Sequence, residues 1–369
     1  MNIYDIDNKE MLFFLSEVKL IGAVSIRKIY DNIKPLNQIL TMSEDDIYEK
    51  TLLDKKKIGS IITSRNYIEK SHERYLRLET NKIKFITVED EHFPQKLLEI
   101  KNSPLYLYTK GKLPSLNKSV AIVGSRLASS YGLSMAENIG FELARKGVEV
   151  ISGLAYGIDC AAHKGAIRAE NGTTYAVLGN GVNICYPKEN FFIYEEILNG
   201  HGGVISEFCT GMPPIKSNFP LRNRIIAGLS DLVIIIEAKE KSGSLITAEY
   251  ALEQGKDVYA VPGRITDVFS KGCNKLISDG AYILTEIDDI LERLSMKKEG
   301  KLVINEKNIK SLAKNQKKVY SCLDLESKFI EQIVEETELT FGEVYTALME
   351  LELSGYIVQV SNNYYMRAT

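Results

Sequence analysis

The residues of this chain best suited to chemistry are cations, small hydroxyl side chains and glycines that follow apolar segments. Arg222, Asn223 and Arg224 crowd the first turn expected of a helix near Pro220, a residue that fits such a turn. An apolar segment, Leu232–Ile236, follows and predicts a strand buried on both faces. Two guanidiniums and an amide at a helix start are typical of a site that binds an anion.

A second candidate anion site follows the apolar segment at 120–123. There Gly124 allows a tight turn, Ser125 offers a hydroxyl, and Arg126 carries a planar guanidinium that matches phosphate. A helix is expected shortly afterwards, and its first amides would add to the site. Further along, Ser242, Gly243 and Ser244 form a small-residue loop that opens another predicted helix and could cradle an anion.

A third candidate combines a glycine loop, a lysine and aromatic rings. Gly179 and Gly181 follow a predicted strand, and Lys188 could contact a phosphate. Phe191 or Tyr186 offers a flat surface on which a nucleic-acid base could stack. A buried aromatic and a solvated lysine explain either residue equally well when each is taken alone.

The elements that must position these residues alternate between apolar strands and helices from Ser119 onwards. This alternation predicts an α/β fold with an extended Rossmann-like, mostly parallel sheet. Strands are expected near 120–123, 148–151, 174–178, 203–205, 232–236, 258–261 and 282–284. Helices are expected near 130–146, 157–170, 190–198, 221–228, 244–254 and 271–278. In such sheets a ligand lies at the carboxyl ends of the strands, near the point where the strand order reverses.

Smaller domains are predicted on both sides of this sheet. Residues 1–80 are expected to form a helical domain resembling sterile-alpha-motif or helix-hairpin-helix modules, although plain helix packing explains the pattern as well. Residues 81–295 would then form the Rossmann-like domain, with short strand-like pieces at 83–88 and 105–108, and residues 296–315 a lysine-rich linker. Residues 316–369 have a winged-helix pattern with nine acidic and four basic side chains, which favours protein contact over DNA binding.

Composition and missing motifs narrow the possible functions. The net charge of −3 places any polyanion site in a local patch. The five cysteines are scattered and include no Cys-x-x-Cys pair, and the sequence shows neither an apolar run of membrane-spanning length nor a secretory signal. These features favour a location in the reducing cytoplasm. The chain lacks a P-loop and a dinucleotide fingerprint, and we predict no catalytic residue, no cofactor and no metal. Asp159 and His163 share a helix face, but without further ligands His163 is expected to be a packing residue.

The segments at the strand ends resemble the DNA-processing protein A family, also called DprA or Smf. They include Val-Gly-Ser-Arg at 123–126, Ser-Gly-Leu-Ala-Tyr-Gly-Ile-Asp at 152–159 and Phe-Pro-Leu-Arg-Asn-Arg at 219–224, with further matches between 186 and 277. The resemblance covers roughly residues 93–291, and the flanking helical and winged-helix domains fit the family's layout. It implies a homodimer through the Rossmann-like domain that binds single-stranded DNA, protects incoming strands in natural transformation and loads the recombinase RecA.

The resemblance also implies roles for individual residues. Arg126 and Lys188 would be the main phosphate contacts, and Phe191 would pack or stack on a nucleotide, although Phe192 lies beside it. The remaining candidates would line a nucleotide pocket: Gly124, Ser125, Arg222, Asn223, Ser242, Gly243 and Ser244.

Two other classes of function remain as alternatives. One is an enzyme that binds a nucleoside monophosphate, related to the lysine-decarboxylase-like phosphoribohydrolases. Its glycine-rich loop is not matched at 241–247, although Glu249 could supply a catalytic carboxylate. The other is an adaptor protein that acts through the acidic winged helix.

Overall fold

The structure, a computed structural model, describes residues 6–115, 117–296, 312–324 and 327–367. The chain begins with a helical module. Its helices are α1 (Asn8–Glu17), α2 (Ala23–Asn32), α3 (Glu44–Thr51), α4 (Lys55–Ser64) and α5 (Ile68–Thr80), with short 3₁₀ turns at Leu36–Leu40 and Arg65–Tyr67.

A nine-stranded sheet follows this module. Its strands are β1 (Ile83–Thr87), β2 (Tyr106–Gly111), β3 (Ser119–Gly124), β4 (Glu149–Ser152), β5 (Thr174–Val177), β6 (Gly202–Ser206), β7 (Leu232–Ile236), β8 (Asp257–Ala260) and β9 (Tyr282–Ile283). The strand order is β1-β2-β6-β5-β4-β3-β7-β8-β9. Every pairing from β6 to β9 is parallel, whereas β1 and β2 add an antiparallel edge. The predicted α/β fold with a mostly parallel sheet is confirmed.

Helices cover both faces of the sheet, and the central strands are therefore buried on both sides. The helices are α6 (Gln95–Leu98), α7 (Ser130–Arg145), α8 (Ile158–Arg168), α9 (Phe191–Glu196), α10 (Asn218–Leu229), α11 (Gly243–Glu253), α12 (Lys271–Ser278) and α13 (Ile287–Arg293). All five residues of β7 are buried, as their uninterrupted apolar character predicts. Helix α10 begins three residues before the predicted position 221, and Pro220 lies in its first turn, where a backbone donor is not required.

The helical module and the sheet share a hydrophobic core. The ring of Phe13 packs edge-on against that of Phe85, with centroids 5.4 Å apart and planes at 86°. The hydroxyls of Ser16 and Tyr108 lie 2.6 Å apart. The helical module before the predicted boundary at residue 80 therefore packs directly against the sheet that follows it.

The C-terminal region forms a winged helix with its own core. Its elements are α14 (Lys314–Cys322), β10 (Lys328–Phe329), α15 (Ile330–Thr337), α16 (Phe341–Leu353), β11 (Ile357–Ser361) and β12 (Tyr364–Arg367). Val319, Ile333 and Leu348 are fully buried at its centre. Residues 297–311 of the predicted linker lie outside the described residues, and α14 begins two residues before the predicted domain start at 316.

Candidate functional site

A cleft of about 620 Å³ opens at the carboxyl ends of β3, β4 and β7. In the sheet, β3 lies between β4 and β7. After β3, the chain adds β4, β5 and β6 on one side of β3 and then crosses back to add β7 on the other side. This is the point where the strand order reverses, the place at which open α/β sheets bind ligands. The cleft therefore lies at the end of the sheet where a ligand is expected, and the binding of a ligand there stays a prediction.

The loop after β3 forms the first wall of the cleft. Gly124 is required there, because a Cβ at this position would lie 1.8 Å from the carbonyl oxygen of Ile236. The Ser125 amide donates to the Glu237 carbonyl at 2.8 Å, and its hydroxyl donates to the Leu127 carbonyl at 2.7 Å. The hydroxyl of Ser125 thus closes its own turn, while the exposed Arg126 side chain lines the cleft.

The start of α7 does not provide the anion site predicted from the sequence. The carboxylate of Glu237 accepts a hydrogen bond from the Ser129 amide at 2.8 Å and another from the Ser129 hydroxyl. It also lies so close to Gly132 that a Cβ there would be 2.5 Å from Oε2. A carboxylate of the protein itself therefore fills this position, and that prediction was wrong.

Arg222 is a buried anchor beneath the cleft. Its side chain is only 4% exposed, and Nη1 donates to the Gly153 carbonyl at 2.8 Å and also to the Val177 carbonyl. Gly153 makes room for it, since a Cβ there would lie 2.5 Å from Nη1. Burial lowers the pKa of Arg222 to about 10, so the guanidinium stays charged at neutral pH. Arg222 thus holds the ends of β4 and β5 together and adds positive charge to the floor of the cleft.

Asn223 and the loop before α11 form the opposite wall. The Asn223 amide donates to the Gly243 carbonyl at 3.1 Å, and its oxygen accepts from Nε of Arg222 at 3.2 Å. Ser242 caps the helix, with its hydroxyl 2.8 Å from that of Ser244. The positive end of α11 is consequently held at the cleft, and the binding of an anion by this small-residue loop stays a prediction.

Two aromatic rings line the cleft. One is Tyr186, a ring predicted from the sequence to offer a stacking surface, and the other is Phe219, for which no role was predicted. Its ring centroid lies 5.2 Å from Cζ of Arg126 and 5.9 Å from Cζ of Arg222, within the range of cation–π attraction. The ring of Tyr186 is 5.8 Å away. The sequence position of Phe219 could have indicated that its ring lies near the cleft, because Phe219 directly precedes the proline in the first turn of the arginine-rich helix.

The cleft is strongly cationic although the chain is not. Among the residues that the structure describes, five cations line it, against the single carboxylate of Asp159. These cations are Arg126, Lys216, Arg222, Lys239 and Lys241. The three lysines were missed because they come from loops far apart in the sequence, before α10 and after β7, and no motif marks them.

Asp159 and His163 are buried and do not form a metal site. The Asp159 carboxylate accepts from the amides of Gly153 at 3.1 Å and Ala155 at 3.4 Å; burial raises its pKa, and the charge of Arg222 opposes that rise. Nδ1 of His163 lies 2.7 Å from the Thr174 hydroxyl, and burial lowers the pKa of His163 to about 3. His163 is therefore a neutral packing residue at pH 7, as predicted.

Lys188 and Phe191 lie beside the cleft and do not line it. Lys188 is exposed in a 3₁₀ turn, Lys188–Asn190, which the Asn190 amide ties to the Leu154 carbonyl at 2.9 Å. Phe191 is 56% exposed and stacks on Tyr194, with centroids 6.3 Å apart. Their contacts with DNA stay predictions.

Glu249, the carboxylate suggested for the enzyme alternative, is exposed on α11 and does not line the cleft. In the described part of the chain, no group of three or more His, Cys, Asp or Glu side chains could hold a metal ion. Among those same residues, no helix has the length and apolar character needed to cross a membrane.

The fold and the cleft define a Rossmann-like protein with a cationic cleft lined by aromatic rings and an appended winged helix. The family model described as DNA recombination-mediator protein A matches residues 84–295, and the model of the DprA winged helix domain matches residues 306–363. The chain belongs to the DNA recombination-mediator protein A family, also known as DprA or Smf.

Individual relatives agree with this assignment. Protein Smf of Escherichia coli is 38% identical over 285 residues, which cover 76% of this chain and 76% of that protein. The X-ray structure of DNA processing protein A from Streptococcus pneumoniae matches with a TM-score of 0.67 and 35% identity, covering 80% of this chain and 99% of that one. A Helicobacter pylori DNA processing protein A, described for its single-stranded DNA binding mode, has a TM-score of 0.51 and 30% identity, covering 57% and 96% of the two chains.

Proposed function

We propose that the chain binds single-stranded DNA in the cleft at the ends of β3, β4 and β7, without preference for sequence. The observation that carries this proposal is the position of Phe219, an aromatic ring within about 6 Å of two guanidiniums in a cleft that five cations and one carboxylate of the described residues line. Stacking on an aromatic ring tolerates every base, and cations along a groove follow the phosphate backbone.

Single strands are favoured because a base must leave its duplex partner before it can stack on a ring in a cleft. The Helicobacter pylori relative, whose structure concerns single-stranded DNA binding, supports the same choice. Fluorescence anisotropy with a labelled mixed-sequence oligonucleotide and its duplex tests the proposal. We expect at least tenfold tighter binding of the single strand, an energy of about 1.4 kcal/mol. Equal affinity for the two forms would contradict it.

A wider role in DNA processing follows from family membership. We infer that the chain protects incoming single strands in natural transformation and loads RecA onto them. Assembly of RecA filaments on single-stranded DNA, measured with and without this chain, tests the loading role. Unchanged assembly would remove RecA from the proposal but would leave the DNA-binding site intact.

Dimer formation through the Rossmann-like domain belongs to the same proposal. Strand β9 is one of the two edge strands of the sheet, and the side chains of its residues Tyr282 and Ile283 are about half exposed. An exposed apolar strand edge favours contact with another chain. Sedimentation equilibrium of the full chain distinguishes a dimer from a monomer.

A further inference from the structure

The recognition helix of the winged-helix domain, α16, exposes a continuous apolar stripe. Phe341, Tyr345, Met349 and Leu353 follow one another at intervals of four residues, with exposed fractions between 44% and 86%. Side chains at this spacing lie one above the other on a helix. The rings of Phe341 and Tyr345 are nearly parallel, with centroids 6.3 Å apart and an angle of 11°.

The stripe is not part of the domain core. A different face of α16, formed by Val344, Ala347, Leu348 and Leu351, is buried in that core. The helix is therefore apolar on two faces, one more than the fold of the domain requires. Exposed apolar residues scattered singly need no explanation, but a contiguous exposed stripe marks an interaction surface.

The charges of α16 disfavour DNA as the partner. Its polar side chains include Glu343, Glu350 and Glu352, and the helix contains no lysine or arginine. In the wing, the guanidinium of Arg367 donates to the Tyr320 carbonyl at 3.1 Å and lies 4.7 Å from the centroid of the Tyr320 ring. A recognition helix without cations cannot neutralise phosphates, whose neutralisation supplies most of the affinity for DNA.

We propose that the α16 stripe docks an apolar helix flanked by lysine or arginine side chains on a partner protein. The apolar face of the partner covers Phe341, Tyr345, Met349 and Leu353, as in other complexes in which a helix lies on an apolar surface. Its cations complement the glutamates of α16. A second copy of α16 would bring glutamates against glutamates, so charge disfavours self-association through this helix.

The test uses the full chain and two synthetic helical peptides. Both peptides carry leucines along one face; lysines flank them in the first, and glutamates replace the lysines in the second. We expect the lysine peptide to bind, with an affinity that falls as salt rises, and the glutamate peptide to bind at least tenfold more weakly. Equal binding of the two peptides would overturn the assignment of a basic partner.

Paired variants locate the binding surface. Met349→Ser combined with Leu353→Ser should weaken binding of the lysine peptide by at least about tenfold, because buried apolar anchors dominate such interfaces. Leu76→Ser, at an exposed leucine on α5, is the matched control and should leave peptide binding unchanged. Equal peptide binding by wild type and the double variant would refute the proposal. The proposal would also be refuted if the double variant mainly lost self-association, which would make a second copy the partner. It would likewise be refuted if the double variant mainly lost DNA affinity, which would make DNA the partner.

Discussion

Replacing Arg126 with alanine should reduce the salt dependence of single-stranded DNA binding by a predictable amount. Four cations of the cleft are exposed and able to meet a phosphate: Arg126, Lys216, Lys239 and Lys241. Arg222 is excluded from this count because it is buried and donates to two backbone carbonyls.

The expected size follows from the release of counterions. Each phosphate neutralised on a single strand contributes about −0.7 to the slope of log affinity against log salt. Four contacts therefore predict a slope of about −2.8, equivalent to an affinity loss of about fiftyfold between 50 and 200 mM salt. With Arg126→Ala the slope should shrink to about −2.1, and the same rise in salt should cost about twentyfold.

Fluorescence anisotropy with one labelled oligonucleotide, titrated at several salt concentrations, measures both slopes. Lys118→Ala is the matched control, because Lys118 is an exposed cation directly before β3, at the amino end of the strand whose carboxyl end forms the cleft. The control should keep the wild-type slope. A slope that is unchanged in Arg126→Ala, or reduced equally in the control, would refute the placement of the phosphate contacts in this cleft.

Three further predictions address the aromatic platform, the winged helix and the buried histidine. Phe219→Ala should weaken single-stranded DNA binding by about 1–3 kcal/mol in the anisotropy assay. Phe191→Ala, at a ring outside the cleft, should have a smaller effect. If Phe191→Ala had the larger effect, Phe191 and not Phe219 would be the ring on which a base stacks. Removing residues 316–369 should leave DNA affinity within about twofold, because this acidic region neutralises few phosphates, and a large loss of affinity would contradict the charge argument. The pKa of His163 lies at about 3 in the folded chain against an ordinary 6.5, so the unfolded chain binds a proton that the folded chain excludes, and stability falls as the pH drops below 6.5. His163→Gln should remove a contribution of about 1.4 kcal/mol per pH unit from this fall, measured by urea unfolding between pH 4 and 6.5; an unchanged pH dependence would show that other groups cause it.

Much of the fold was predictable because its signals are local. Apolar strands such as Leu232–Ile236 and the helices between them are recognisable from short stretches of sequence, and the structure places β7 at the predicted residues. The winged helix was recognisable for the same reason, and the structure shows that its hairpin turns at Asn363, whose φ is 64°. The antiparallel pairing of β1 and β2 onto the edge of the sheet was not predicted, since a strand pattern does not state its partner.

The sequence by itself determined the class of the fold, the family and several of the loops that line the cleft, because glycines and cations follow apolar strands in an ordered series. Only the tertiary structure decided which side chains meet. The Val123–Ile235 pairing of β3 with β7 joins residues more than a hundred positions apart, and that crossover brings Arg126 to Phe219. It also buries Arg222 against the Gly153 carbonyl. Local patterns report strands and turns, whereas the meeting of distant loops depends on the order in which strands pair.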